Sequence, residues 1–325
     1  MKEVELKMIE RAKALLESGE VARVIGWKKG DFCHDPSPAS FESVEELDSF
    51  VYDYFCGANL SKYLIQMSKK EGKTAVFLKP CDTYSFNQLV KEYRIKRENV
   101  YVIAIDCRGK LDVEKMKAKG ASFINGVEVI DKEVKAITPY GEVLFNKAEV
   151  VLTKCATCNK THQVKDEEIL LGERPVLEVN RFEEVEKLEA MTEDERFAYW
   201  RAQLSKCIRC NACRNVCPAC SCVKCVFDNP ASGIAAKAND DQFEEQLFHI
   251  VRAFHVAGRC TDCGECSRVC PQNIPLHLLN RKFIKDIDGL YGVYQAGETD
   301  EGKTPLTSYT EGDAEANDVV KGDAK

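Results

Sequence analysis

Val4, Met8, Ala12 and Leu15 recur at helical spacing in the first twenty residues, and Gly19 ends the run. This predicts an N-terminal amphipathic helix. The apolar stretch Val21–Trp27 then predicts a strand. Ser43 with Glu46 has the form of a capping box and predicts a second helix, and residues 60–67 predict a third. Thr74–Leu78 and Val100–Ile105 are two apolar runs of strand length. Between them Phe86, Leu89 and Val90 mark a helix that Asp82 would cap. Strand, helix and strand at this spacing make a βαβ unit, which implies a parallel sheet. Val127, Val129, Val134, Ile137, Val143, Phe145, Val150 and Leu152 alternate, so residues 123–153 add short strands. Residues 181–204 are charged and helical. Phe243, Leu247, Ile250, Val251 and Phe254 form the apolar face of a further helix.

Both predicted buried strands end in turns that carry a cysteine, Pro80-Cys81-Asp82 and Asp106-Cys107-Arg108. Ligands of open α/β sheets gather at the carboxyl ends of strands, so Lys79–Thr83 and Asp106–Gly109 are candidate site loops. The simpler alternative is that Cys81 and Cys107 are small buried hydrophobes. No glycine-rich phosphate loop of the dinucleotide or P-loop type is present.

Composition sharpens this picture through its cysteines, 17 in 325 residues. No apolar run approaches the roughly 20 residues that a bilayer span needs. The N-terminus lacks the apolar core of a signal peptide, and the expected location is the cytoplasm. In that reducing compartment metal ligation is a better reading of many cysteines than disulfides. The net charge is −7. Residues 296–325 hold eight acidic side chains against three lysines, so most of that charge sits in an acidic tail expected to be disordered. The folded part has no basic footprint for nucleic acid.

The most specific signal is Cys207-x2-Cys210-x2-Cys213-x3-Cys217-Pro218, repeated as Cys260-x2-Cys263-x2-Cys266-x3-Cys270-Pro271. This is the bacterial two-cluster spacing. Three thiolates two residues apart wrap one cube in a short loop, and the fourth reaches the other cube. Cys207, Cys210, Cys213 and Cys270 are therefore expected to hold one [4Fe–4S] cluster. Cys260, Cys263, Cys266 and Cys217 are expected to hold the second. The segment from Pro218 to Arg259 is too long for a compact βαββαβ ferredoxin and points to the helical type. His249 and His255 flank its predicted helix as packing or hydrogen-bonding residues.

Cys155-x2-Cys158 and the group Cys220, Cys222 and Cys225 suggest a third centre. It would use Cys155, Cys158 and two of the other three thiols, holding a third Fe–S cluster or a structural zinc. His162 would orient that loop. Cys33 and Cys56 have no assigned role. The expected fold is thus an α/β domain with a small parallel or mixed sheet over 1–180, an all-α two-[4Fe–4S] ferredoxin domain over 181–295, and an acidic disordered tail over 296–325.

Lys79-Pro-Cys-Asp, Asp106-Cys-Arg-Gly and Lys154-Cys-Ala-Thr-Cys, followed by a ferredoxin domain, resemble the β-subunit family of coenzyme F420-reducing hydrogenase and F420-dependent formate dehydrogenase. The stretch from Arg259 through Pro271-Gln-Asn-Ile-Pro to Arg281 resembles the helical ferredoxin modules of heterodisulfide-reductase-associated proteins. The ferredoxin part follows the α/β domain here, whereas family members often carry it in front. The resemblance implies an iron–sulfur flavoprotein in which FAD converts hydride transfer at F420 into single-electron transfer along the clusters. Lys79, Cys81, Asp82, Thr83, Asp106 and Cys107 are the expected flavin contacts.

Three functions follow as expectations. The first is an electron-transfer subunit of a redox complex, partnered by catalytic subunits of a hydrogenase, formate dehydrogenase or heterodisulfide-reductase-like assembly. The second is a self-contained FAD-dependent oxidoreductase acting on F420 or NAD(P)H. The third is a structural or redox-sensing Fe–S or zinc protein, for which two ferredoxin clusters and a third site are excessive. No residue is expected to act as a catalytic acid, base or nucleophile.

Overall fold

A computed structural model describes residues 1–159, 163–170, 179–229, 231 and 242–308. The chain divides into two compact units, 1–83 with 95–179, and 84–94 with 180–325. A mixed α/β sheet region occupies the first and helices dominate the second. No helix among the described residues is long and apolar enough to cross a membrane.

The first unit is built on a five-stranded sheet. Helix α1 (Lys2–Glu17) buries Met8, Ala12 and Leu15, the face its periodicity predicts. Strands β1 (Arg23–Lys28), β2 (Ser37–Phe41), β3 (Thr74–Leu78), β4 (Val100–Ala104) and the two-residue β8 (Glu168–Ile169) pair in the order β2-β1-β3-β4-β8. β2 runs antiparallel to β1, while β1, β3, β4 and β8 are parallel. Val76 of β3 lies opposite Ile25 on one side and Val102 on the other. All five residues of β3 are buried, as a parallel strand covered on both faces requires.

Helix α2 (Pro80–Lys91) connects β3 to β4. It starts at Pro80, which suits the first helical position because its missing N–H has no partner to lose. Asp82 therefore lies inside the first turn and does not cap it. Its carboxylate accepts from the Lys79 backbone N–H and pairs with Lys79 Nζ at 2.8 Å. The segment opened by Ser43 is a 3-10 turn over Glu45–Ser49, and residues 61–67 form a 3-10 turn followed by one helical turn. These are shorter than the helices their sequence suggests.

Three antiparallel strands, β5 (Gly126–Ile130), β6 (Glu133–Thr138) and β7 (Gly141–Asn146), form a separate meander. Val134, Ala136 and Phe145 close its inner face against Met116, Ile124 and Val150.

In the second unit α3 (Glu183–Glu189) and α4 (Glu193–Leu204) precede the cysteine motifs. Thr192 and Glu195 cap α4 reciprocally, as a capping box does. Short helices α5 (Ala212–Val216) and α7 (Glu265–Arg268) carry the third cysteine of each motif. Between them lies α6 (Gln242–His255), and α8 (Leu276–Tyr291) follows. Leu204, Phe248, Ile274 and Leu276 pack with Cys213 and Cys266 in one apolar core.

Two expectations are corrected here. The predicted apolar face of α6 does not point inward: Phe243, Ile250 and Phe254 are exposed, and Glu245, Phe248, His249, Arg252 and Ala253 are buried. The helix turns a largely polar face toward the cysteines. The acidic tail is not wholly extended solvent-facing chain either. Ala296 and Thr304 are buried, and Gly297, at φ +77°, sits so close to the Tyr84 carbonyl that a side chain there would clash. Residues beyond 308 lie outside the described part.

Candidate metal centres

The two ferredoxin motifs fold alike because their spacers take the same backbone shape. Arg209 and Asn211 have φ of 54° and 61°, and their counterparts Asp262 and Gly264 have 57° and 66°. Left-handed residues on both sides of the second cysteine coil each loop tightly. Glycine takes such a conformation freely, and asparagine more readily than most residues.

Cys207, Cys210, Cys213 and Cys270 line one cavity, with Phe248, His249 and Ile274. Cys217, Cys260, Cys263 and Cys266 line a second, with His277 and Asn280. In each, three thiols come from one motif and the fourth from the other, the crossed arrangement of two-cluster ferredoxins. Beside the first cavity the Cys207 thiol, a Glu245 carboxylate oxygen and a His249 ring nitrogen lie within 4.8 Å of one another.

Burial raises the thiol pKa of Cys207 to about 12 and of Cys266 to about 11. Bare, these sites would be protonated, so loading a cluster must release protons. Ion pairs fix the loops. Arg281, fully buried, binds Asp262 at 2.7 Å beside Cys263, and Arg181 approaches the same carboxylate. Arg209 lies 3.7 Å from Glu245 of α6 and stacks over Phe248. His277 exchanges hydrogen bonds with Ser267 Oγ through its backbone N–H and Nδ1. Burial, then the Arg281 charge, lowers its pKa to about 4, so the ring is neutral. Asn280 Nδ2 donates to Cys266 Sγ at 3.8 Å.

In the first unit Cys155 and Cys158 interact with thiols other than the expected Cys220, Cys222 and Cys225. The thiol of Cys155 interacts with Cys107 and Cys158, and that of Cys81 interacts with Cys158. Cys81 follows β3, Cys107 follows β4, and Cys155 and Cys158 sit at a one-turn helix. Burial raises the pKa of Cys155 to about 11 and that of Cys81 as well. Lys154 offsets both and donates to the Gly57 carbonyl at 2.7 Å. Lys110, wholly buried beside Cys107 and Cys56, donates to the Asp53 carbonyl and lies 3.8 Å from the centre of the Tyr52 ring. Burial lowers its pKa.

Cys220, Cys222 and Cys225 belong to the second unit. There Arg259 faces Cys220 and Cys222, and Arg214 faces Cys225. Cys33 donates to the Ile124 carbonyl and Cys56 to that of Val51. His162 lies outside the described residues.

The expected flavin contacts fit poorly. Lys79 is buried against Asp82, the Ala58 carbonyl and the Trp27 ring. Thr83 Oγ1 donates to the Pro80 carbonyl and accepts from Val164 N–H. Cys81 and Cys107 join the thiol group. Of the six, only Asp106 keeps a buried side-chain oxygen, Oδ1, without a hydrogen-bond partner among the described residues. The turns are legible in sequence, but their side chains serve each other and the thiols.

These features mark an iron–sulfur protein, and a family model described as a 4Fe-4S dicluster domain matches residues 203–274. Over most of its length the chain is similar to beta subunits of F420-dependent formate dehydrogenase. It is 24% identical to that subunit of Methanocaldococcus jannaschii, over 86% of this chain and 88% of the relative. It is 27% identical to F420-dependent formate dehydrogenase 1 subunit beta of Methanococcus maripaludis, over 90% and 91%. Putative ferredoxin-3 of Sinorhizobium fredii is 34% identical over 24% of this chain and 75% of the relative. Among solved structures, a chain of the F420-reducing [NiFe] hydrogenase complex from Methanosarcina barkeri aligns with 49% of this chain and 62% of its own, at 14% identity and a TM-score of 0.39.

Proposed function

We propose that this chain is the beta subunit of an F420-linked formate dehydrogenase or related multisubunit oxidoreductase, and that it carries electrons between a hydride site and a catalytic subunit in the cytoplasm. The observation that carries this reading is the pair of cavities, each lined by four cysteines drawn from both motifs. Cubane clusters accept and donate single electrons, and the ion pairs around each loop hold the thiolates in place while the charge changes. Residues 181–295 serve as the relay. The partners are the catalytic subunits, with heterodisulfide-reductase-like subunits as the second candidate.

The same reading assigns a third centre to Cys81, Cys107, Cys155 and Cys158. Four thiols from three loops converge there, and Lys110 and Lys154 stand by to balance thiolate charge. Lys110 is the buried one of the two, and thiolates beside it would compensate its charge. FAD is expected from the resemblance alone.

Anaerobically purified chain is the test, with iron, sulfide, zinc and flavin counted and the reduced form examined by EPR. Roughly twelve irons per chain, four for each of three clusters, is expected. Zinc in place of iron would overturn the relay. Turnover of F420 or NAD(P)H by the isolated chain with bound flavin would move the reading to a self-contained oxidoreductase.

A further inference from the structure

Helix α6 buries a charge that no carboxylate among the described residues pairs with; only thiols stand near it. Arg252 is 2% exposed, and none of its three side-chain nitrogens has a hydrogen-bond partner among the described residues. Other buried cations of this unit are matched: Arg281 with Asp262, and Arg209 with Glu245. The guanidinium of Arg252 instead faces the thiols of Cys266, Cys213, Cys217 and Cys220. Cys213 lines the first cavity, while Cys217 and Cys266 line the second. The cation thus stands beside both sites at once. A buried guanidinium is costly unless an anion compensates it. Protonated thiols do not supply one, whereas two clusters held by thiolates do.

We propose that Arg252 is a positioning residue for electron transfer, a fixed cation shared by the two clusters that raises the reduction potential of both. This rests on the reading of the cavities as cluster sites. A cluster gains negative charge when it is reduced, so a buried cation beside it stabilises the reduced state more than the oxidised one. Arginine stays protonated throughout, so the effect is independent of pH. It also explains why α6 turns its polar face inward.

The test is an EPR-monitored redox titration of the full chain, with iron counted, on wild type, Arg252→Met, Arg252→Gln and Arg252→Lys. At a potential that leaves the wild-type clusters half reduced, Arg252→Met is expected to fall to about one-tenth reduced or less, a shift near 59 mV for one electron. Arg252→Lys should return toward wild type. Full iron with unchanged potentials in Arg252→Met or Arg252→Gln would overturn the proposal. If both neutral variants lose iron while Arg252→Lys keeps it, the charge requirement stands. If Arg252→Lys loses iron too, the role is one of shape and the proposal fails. Wild-type protein that lacks the two clusters would instead sink the cavity reading itself.

Discussion

The two groups of thiols are built in opposite ways. In the second unit each cysteine loop is local: seven residues, two left-handed spacers and a short helix place three thiols, and only the fourth comes from the other motif. In the first unit Cys81, Cys107 and Cys155 stand at the ends of separate elements, and the parallel pairing of β3 with β4 brings the turns that carry the first two to one edge of the sheet. A loop-built centre announces itself in the spacing of its ligands. A sheet-built centre exists only after the sheet has formed, and its ligands look unrelated along the chain.

The largest effect tests the loop-built pair. Cys213→Ala should remove the cluster in the first cavity, about four irons per chain, and end electron throughput. Cys33→Ala should leave iron and throughput unchanged, since its thiol bonds only to local groups and a backbone carbonyl. Equal iron counts in the two variants would break the ligand assignment.

Next comes the sheet-built group. Cys107→Ala should lose about four irons while the EPR signals of the dicluster pair persist. Cys222→Ala should lose none. The opposite result would return the third centre to the set suggested by proximity in sequence, Cys155 and Cys158 with Cys220, Cys222 or Cys225. That set pairs two C-x2-C-like groups and leaves out Cys81 and Cys107, because a cysteine following a buried strand is equally consistent with plain packing. The available signal was the position of both at strand carboxyl ends, which was read as a flavin site. The same limit explains α6. Its apolar residues have helical period, but periodicity says only that one face is apolar, not that the core needs that face. Here the neighbours are thiols and carboxylates, so Glu245, His249 and Arg252 turn inward. The βαβ pairing, the meander and α1 were legible because apolar spacing alone decides them. The two-residue β8 is too short to leave a pattern.

A third comparison sets ion pairs against each other. Lys79 and Asp82 are 1% and 0% exposed and lie 2.8 Å apart, under the site loop of the first unit. Lys79→Met would strand the Asp82 carboxylate and should destabilise the protein by ~3–5 kcal/mol. Adding Asp82→Asn should recover most of that loss, because a buried pair replaced at both ends leaves no lone charge. Denaturant unfolding of the two single variants and the double variant measures the coupling. Additive losses would mean that the pair does not act as a unit.

The smallest effect is the matching change in the second unit. Arg259, immediately before Cys260, binds Glu92 with Nε at 2.7 Å and Nη2 at 2.5 Å. Glu92 also accepts from Gln88 Nε2 at 2.7 Å. This pair keeps contact with water, with side chains 27% and 15% exposed, so solvent screens most of its Coulomb energy. Glu92→Gln keeps the shape and one acceptor. It should cost about 1 kcal/mol, a loss that thermal unfolding of cluster-loaded protein can read as a Tm lowered by a few degrees. Because Arg259 also faces Cys220 and Cys222, freeing it from Glu92 should leave the iron count unchanged. A loss of iron in this variant would show that the loop-built centre depends on a distant clamp as much as the sheet-built one does, and the contrast between the two would no longer hold.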